Sequence, residues 1–143
     1  KGVWYGITLK HTNAHFARAI QEAVGFMLRK ILAQVQAAGI PMAEVRCMGG
    51  AARSDLWLQI KADICNLPMV RMEEEETAAL GCALMGAVAC GDYADVEQAA
   101  RSMVRLGKRF EPQARDVRTY DSRFALYREL YDTLKPVFKK YTA

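Results

Sequence analysis

The chain has 143 residues, one domain's worth, of which 52% are hydrophobic and 25% charged, the ordinary usage of a folded protein and not that of a disordered chain or a fibre. Its net charge of +4 is mild and its basic residues are interleaved with acidic ones, so nucleic-acid binding finds no electrostatic footprint. The longest apolar run, Ala78 to Cys90, is too short to span a bilayer, and no charged leader followed by an apolar stretch opens the chain, so a cytoplasmic location without a membrane partner is expected.

Trp4, Tyr5 and Ile7 stand at core-like positions, and Gly6 and Thr8 introduce a loop. Thr12 or Asn13 can cap a helix running to about Ala38, with Gly39 as its stop. Phe16, Ile20, Val24, Met27, Ile31 and Val35 repeat at intervals of three or four and predict its packed face, opposite Arg18, Glu22, Arg29 and Gln36. His15, at the start of this helix, reads as a capping or packing residue, and His11 is equally unsupported as a ligand.

From Val45 the sequence VRCMGGAARSDLWLQ reads as strand, tight turn and helix. Glycine lets the backbone enter positive φ and lets a flat ligand lie directly on it. Ser54 is a good N-cap, and the first helical turn that it opens directs N–H groups and the positive end of the dipole toward the glycines. Such a turn suits a nucleotide or an anion, although it is neither a Walker loop nor a GxGxxG fingerprint.

Leu67 to Met72 predicts a second strand. The run Glu73 to Glu76 is read as carboxylates placed at a helix N-terminus, in preference to a metal site. Thr77 to Cys90 is apolar on every side and predicts a fully buried helix stopped by Gly91. Asp95 and Gln98 resemble a capping box for a helix from Val96 to about Leu106, with Ala99, Ala100 and Met103 inward and Gly107 as its end. Arg109 to Pro112 is an extended crossing, and the last helix is predicted from about Asp121, with Phe124, Tyr127, Tyr131, Leu134, Phe138 and Tyr141 on one stripe and a kink near Lys135 imposed by Pro136. The four cysteines, Cys47, Cys65, Cys82 and Cys90, form no C-x-x-C pair and read as reduced, buried thiols.

GGAARSDLWLQIKADICNLPMV resembles the adenosine-binding segment of the FGGY family of carbohydrate kinases. Gly49, Gly50, Ala52, Ser54, Trp57, Gln59, Ala62, Asp63 and Pro68 fall in register, with Ala51 in place of a third glycine and Asn66 where glycine is usual. A second segment is similar to that family too: G-x-W-x-G-I, seven residues, then H-F-x-x-A-I, with Gly2, Trp4, Gly6, Ile7, His15, Phe16, Ala19, Ile20 and Glu22 in place and Gln21 departing. ETAALGCA resembles a third, with Cys82 replacing alanine.

The resemblance covers essentially the whole chain and implies a helix-rich α/β fold with few strands: part of an actin-like, ribonuclease H-like ATPase domain, here the C-terminal portion of the nucleotide-binding domain over residues 1–143. It implies that ATP contacts Gly49, Gly50, Ala51 and Ser54, and that Thr8 and Lys10 line the nucleotide, although Lys10 reads equally as a solvated loop lysine. In such kinases ATP, with Mg²⁺, gives its γ-phosphoryl group to a sugar or polyol hydroxyl. By family pattern the catalytic base, the sugar pocket, the D-x-G phosphate loop and the main metal ligands lie in a preceding half, outside this chain, which alone is expected to be inactive. Asp55 and Asp63 are not nominated as base: Asp55 suits a first helical turn, and Asp63 has no partner acid in reach. Within the family, the pairing of GGAARSDLW with a YRELYDTLKPVF ending most resembles kinases of a pentulose such as xylulose, although gluconate and other pentulose kinases end similarly, and gluconate and glycerol are the alternatives. A non-catalytic helical interaction module is the competing class, which explains the aromatic stripe but not the glycine turn. Apolar faces and strand edges left open are expected to make the chain a homodimer.

Overall fold

The capping residues and the 3.6-residue period after Thr12 produce α1 (Asn13–Ala37), closed by Gly39 at φ +80°. The computed structural model describes residues 2–140, so Tyr141 of the expected aromatic stripe lies outside the described residues. After α1 come β1 (Val45–Cys47), a short 3-10 turn (Gly50–Arg53), α2 (Asp55–Cys65), β2 (Met69–Met72), α3 (Thr77–Ala89), α4 (Val96–Met103), β3 (Leu106–Phe110) and α5 (Ala114–Lys140). The three strands form one sheet in the order β1-β2-β3. β1 and β2 are parallel, with Val45 opposite Met69, and β2 and β3 antiparallel, with Met69 opposite Phe110.

The crossover helix α2 is the hub. Its Leu58 and Ala62 pack on Met69 and Phe110 of the sheet, while its Ile60 and Ile64 meet Phe26 of α1 and Tyr120 of α5. α1 can approach this closely because Gly25 lacks a side chain: a Cβ there would stand 2.6 Å from Ile64 Cδ1. α2 ends on Asn66 in the left-handed conformation, φ +50°, so the position where glycine is usual is filled by the residue that tolerates that backbone next best.

Several expectations are corrected. On α1, Ile20, Met27 and Ile31 of the apolar stripe are exposed, and Arg18, Glu22 and Arg29, assigned to solvent, face α5 instead. α1 packs chiefly on α2 through Gly25 and Phe26, and that turns these polar residues to α5: Tyr120 Oη donates to Glu22 Oε1 at 2.9 Å and accepts from Arg18 Nη2 at 2.7 Å, and Arg29 Nη2 donates to Asp121 Oδ1 at 2.6 Å. Trp4, Tyr5 and Ile7 are exposed too. α3 is not buried on every side; only Leu84 is, and the helix packs chiefly on α4. α4 stops at Met103, and Gly107, expected to end it, instead lets β3 lie tightly on β2, where a Cβ would be 3.3 Å from the Arg71 carbonyl oxygen.

α5 begins at Ala114, earlier than the local pattern indicates, because Asp63 on α2 supplies its opening: Oδ1 accepts the Gln113 N–H at 2.8 Å. Pro136 lies within α5 without ending it. Cys82 and Cys90 are exposed, whereas Cys47 and Cys65 are half-buried.

Candidate functional site

The chain leaves β1 and enters the turn through Gly49 at φ +73°, ψ −175°, a backbone shape that a side chain would strain. Gly50 has open space where a Cβ would be, and Gly49, Gly50 and Ala51 are all exposed. Beneath them Ala52 is buried, its N–H donating to the Gly49 carbonyl at 2.9 Å. Ser54 then caps α2 as its sequence indicates, its Oγ accepting the Trp57 N–H at 3.2 Å and its carbonyl the Leu58 N–H at 3.0 Å. The four residues from Gly49 to Ser54 assigned to the nucleotide are thus brought together as a bare, outward-facing ledge at the positive end of a capped helix.

The ledge is held from below by the sheet. Arg71 of β2 donates from Nε to the Ala52 carbonyl at 2.8 Å and from Nη2 to Asp55, while Lys108 of β3 reaches the other Asp55 oxygen at 2.6 Å. The hydrogen bond from Lys108, followed by that from Arg71, holds the Asp55 carboxyl below the usual carboxylate range. Both Asp55 oxygens are thus held in ion pairs, one with Arg71 and one with Lys108. Asp63 is likewise committed: it is buried, and besides Gln113 it accepts from Gln59 Nε2 at 2.9 Å. Sequence reasoning missed Arg71 and Lys108; the one available signal is a lone arginine inside the apolar strand MVRM.

The acidic run stands at the N-terminus of α3, as its sequence indicates: Glu76 is the N-cap, Glu74 Oε1 accepts the Glu76 N–H at 3.0 Å, and Glu75 accepts from Arg53 Nε at 3.0 Å. Among the described residues no group of three or more His, Cys, Asp or Glu side chains is placed to hold a metal ion. Burial pushes the Cys65 thiol up to about 12 and raises that of Cys47, which leaves neither a ready nucleophile.

Thr8 and Lys10 lie on a second exposed loop, before α1, entered through Gly6 at φ +77°. It stands beside a cavity of about 400 Å³ lined by Trp4, Tyr5, His11, His15, Arg18 and Arg123, among others. The Thr8 N–H donates to His11 Nδ1 at 2.9 Å and the Lys10 N–H to Thr8 Oγ1 at 3.4 Å. Among the described residues no hydrogen bond or ion pair joins this loop to the glycine ledge, so the two parts of the expected site are carried separately, by the N-terminal ends of α1 and α2.

The C-terminal domain of the FGGY family of carbohydrate kinases matches residues 1–90. The xylulose kinase of Bacillus subtilis (strain 168) is 33% identical over 135 residues, covering 94% of this chain and 27% of that protein. The glycerol kinase of Dechloromonas aromatica (strain RCB) is 39% identical over 128 residues, covering 89% of this chain and 24% of that protein. A ligand-bound xylulose kinase from Lactobacillus acidophilus superposes with a TM-score of 0.89 at 25% identity, over 99% of this chain and 29% of that one. The chain therefore spans about a quarter of the length of the curated relatives it matches. Its helices and small sheet form part of the actin-like ATPase fold of these kinases. From the family match over residues 1–90 and from the relative that is 33% identical over 94% of this chain, this chain belongs to the FGGY family of carbohydrate kinases.

Proposed function

We propose that residues 1–143 form the C-terminal portion of the nucleotide-binding domain of a kinase that passes the γ-phosphoryl group of ATP to a sugar hydroxyl. The observation that carries this reading is the exposed ledge Gly49–Ala51, with Gly49 at φ +73° and nothing within 4 Å of a Cβ at Gly50, set before a serine-capped helix. Phosphoryl transfer rests on positioning and electrostatic stabilisation. ATP, when bound, supplies the group transferred. This chain's own part is to offer bare backbone to the flat adenosine at Gly49, Gly50 and Ala51, to fix that backbone through Ser54 and the Asp55 clamp, and to line the nucleotide with Thr8 and Lys10. The described residues present no ligand cluster for Mg²⁺, so no step is assigned to the metal here.

The sugar in this reading is a pentulose such as xylulose, supported by the match to a xylulose kinase over 94% of the chain. A glycerol kinase with 39% identity favours glycerol as a second reading. A kinase of this type works in the cytoplasm, where its ATP is; among the described residues no helix is long and apolar enough to cross a membrane.

Gly50→Val in the full enzyme is expected to raise the apparent KM for ATP and to leave the sugar KM little changed, because the new side chain covers the backbone face of the ledge. An ATP KM equal to that of the unaltered enzyme removes this site. The 143-residue chain alone is expected to release no ADP in the presence of sugar, since the family pattern places the base and the sugar pocket in a preceding half; sugar-dependent ADP formation by the purified chain overturns that reading.

A further inference from the structure

Thr8 to Thr12 hold an unusual duplication. The His11 N–H donates to the Thr8 carbonyl at 3.1 Å while the Thr8 N–H donates back to His11 Nδ1 at 2.9 Å. Four residues on, the His15 N–H donates to the Thr12 carbonyl at 2.9 Å and the Thr12 N–H to His15 Nδ1 at 3.1 Å. Each histidine thus closes a two-way bracket over the residues between it and its threonine. The second bracket begins α1 and is accounted for as a helix cap, with the imidazole in the place usually taken by a carboxylate or amide. The first caps nothing, because α1 begins only at Asn13. What it encloses is Leu9 and Lys10, and what it fixes is Thr8, whose Oγ1 lies 3.0 Å from the same His11 nitrogen and accepts the Lys10 N–H.

We propose that His11 is a positioning residue for the nucleotide: by accepting the Thr8 N–H it holds Thr8 and Lys10 in the shape in which they meet ATP. The inference rests on the reading that this loop lines the nucleotide. A backbone N–H can only donate, so the His11 nitrogen facing it must be an unprotonated acceptor and the ring proton of the neutral imidazole sits on Nε2. The His15 ring stands edge-on to that of His11 with centroids 5.3 Å apart. The charged groups lining the adjoining cavity are Arg18 and Glu22 of α1 and Arg123 of α5, and both arginines are engaged by Glu22, at 2.9 and 3.4 Å.

The test is steady-state kinetics of the full enzyme with His11→Ala and His11→Asn, the asparagine amide oxygen reaching about the position of Nδ1. His11→Ala is expected to raise the ATP KM about fivefold, the equivalent of one ordinary hydrogen bond, with the sugar KM unchanged. His11→Asn is expected to restore it. An unaltered ATP KM in His11→Ala, or an Asn variant as impaired as the Ala variant, overturns the proposal. Gly50→Val, measured in parallel, separates the two readings: if it raises the ATP KM while the His11 variants do not, the nucleotide site stands and the positioning role falls.

Discussion

Replacing Leu58 with alanine is expected to lower the stability of the protein by about 2–5 kcal/mol, the range for truncating a fully enclosed leucine. Leu58 is 0% exposed and packs against Ala62, Met69 and Phe110, with Leu28, Val45, Cys47 and Cys65 around the same cluster. Sheet and α1 are both fixed through α2, so the surrounding atoms have little freedom to collapse into the space left. Against a total stability of roughly 5–15 kcal/mol for a domain, the loss is large. Leu56, two residues earlier, is 58% exposed, and Leu56→Ala should change stability by only about 0.5 kcal/mol. Urea unfolding followed by circular dichroism distinguishes them, and coincident midpoints for the two variants would refute the placement of Leu58 at the centre of the fold.

The 143-residue chain purified by itself is expected to self-associate at micromolar concentration. β1 forms one edge of the sheet and leaves one side of its backbone unpaired by another strand. α3 exposes Met85, and α1 exposes Ile20, Met27 and Ile31. A few hundred Å² of such surface, at about 25 cal/mol per Å², represents on the order of 10 kcal/mol of burial available to a partner surface. A net charge of +4 is screened too strongly at ordinary ionic strength to oppose it. The simplest product is a two-fold dimer. Light scattering decides the matter: a folded monomer that persists across the concentration range would show that these faces need no cover.

The parts of the fold legible in the sequence are those set by neighbours in the chain. Ser54 caps α2, Gly39 closes α1 and the glycine turn follows β1, because each is a backbone requirement met within a few residues. The rest depends on side chains that come from far along the chain. The start of α5 is fixed by Asp63, separated from Gln113 by 50 positions. The face of α1 that packs is centred on Gly25 and Phe26, which meet Ile64 and the core around α2, so the apolar period located it only in part: Phe16, Val24 and Val35 are half-buried while Ile20, Met27 and Ile31 are exposed. α3 is apolar all round and so carries no pattern from which a buried side can be read. Of the candidate site, the ledge itself was visible in Gly49, Gly50, Ala51 and Ser54, whereas the basic residues that hold it are contributed by β2 and β3 and have no signature next to the glycines.

That hold bears on the cost of occupying the ledge. Fixing the backbone of one free residue takes roughly 1–2 kcal/mol of conformational entropy. Arg71 grips the Ala52 carbonyl and Asp55 at once, and Lys108 grips Asp55 from the next strand, so the C-terminal end of the exposed stretch is tied to the sheet before anything arrives. A molecule settling on Gly50 and Ala51 meets a surface that has already lost its freedom in folding, and its contacts go into affinity instead of into ordering the loop.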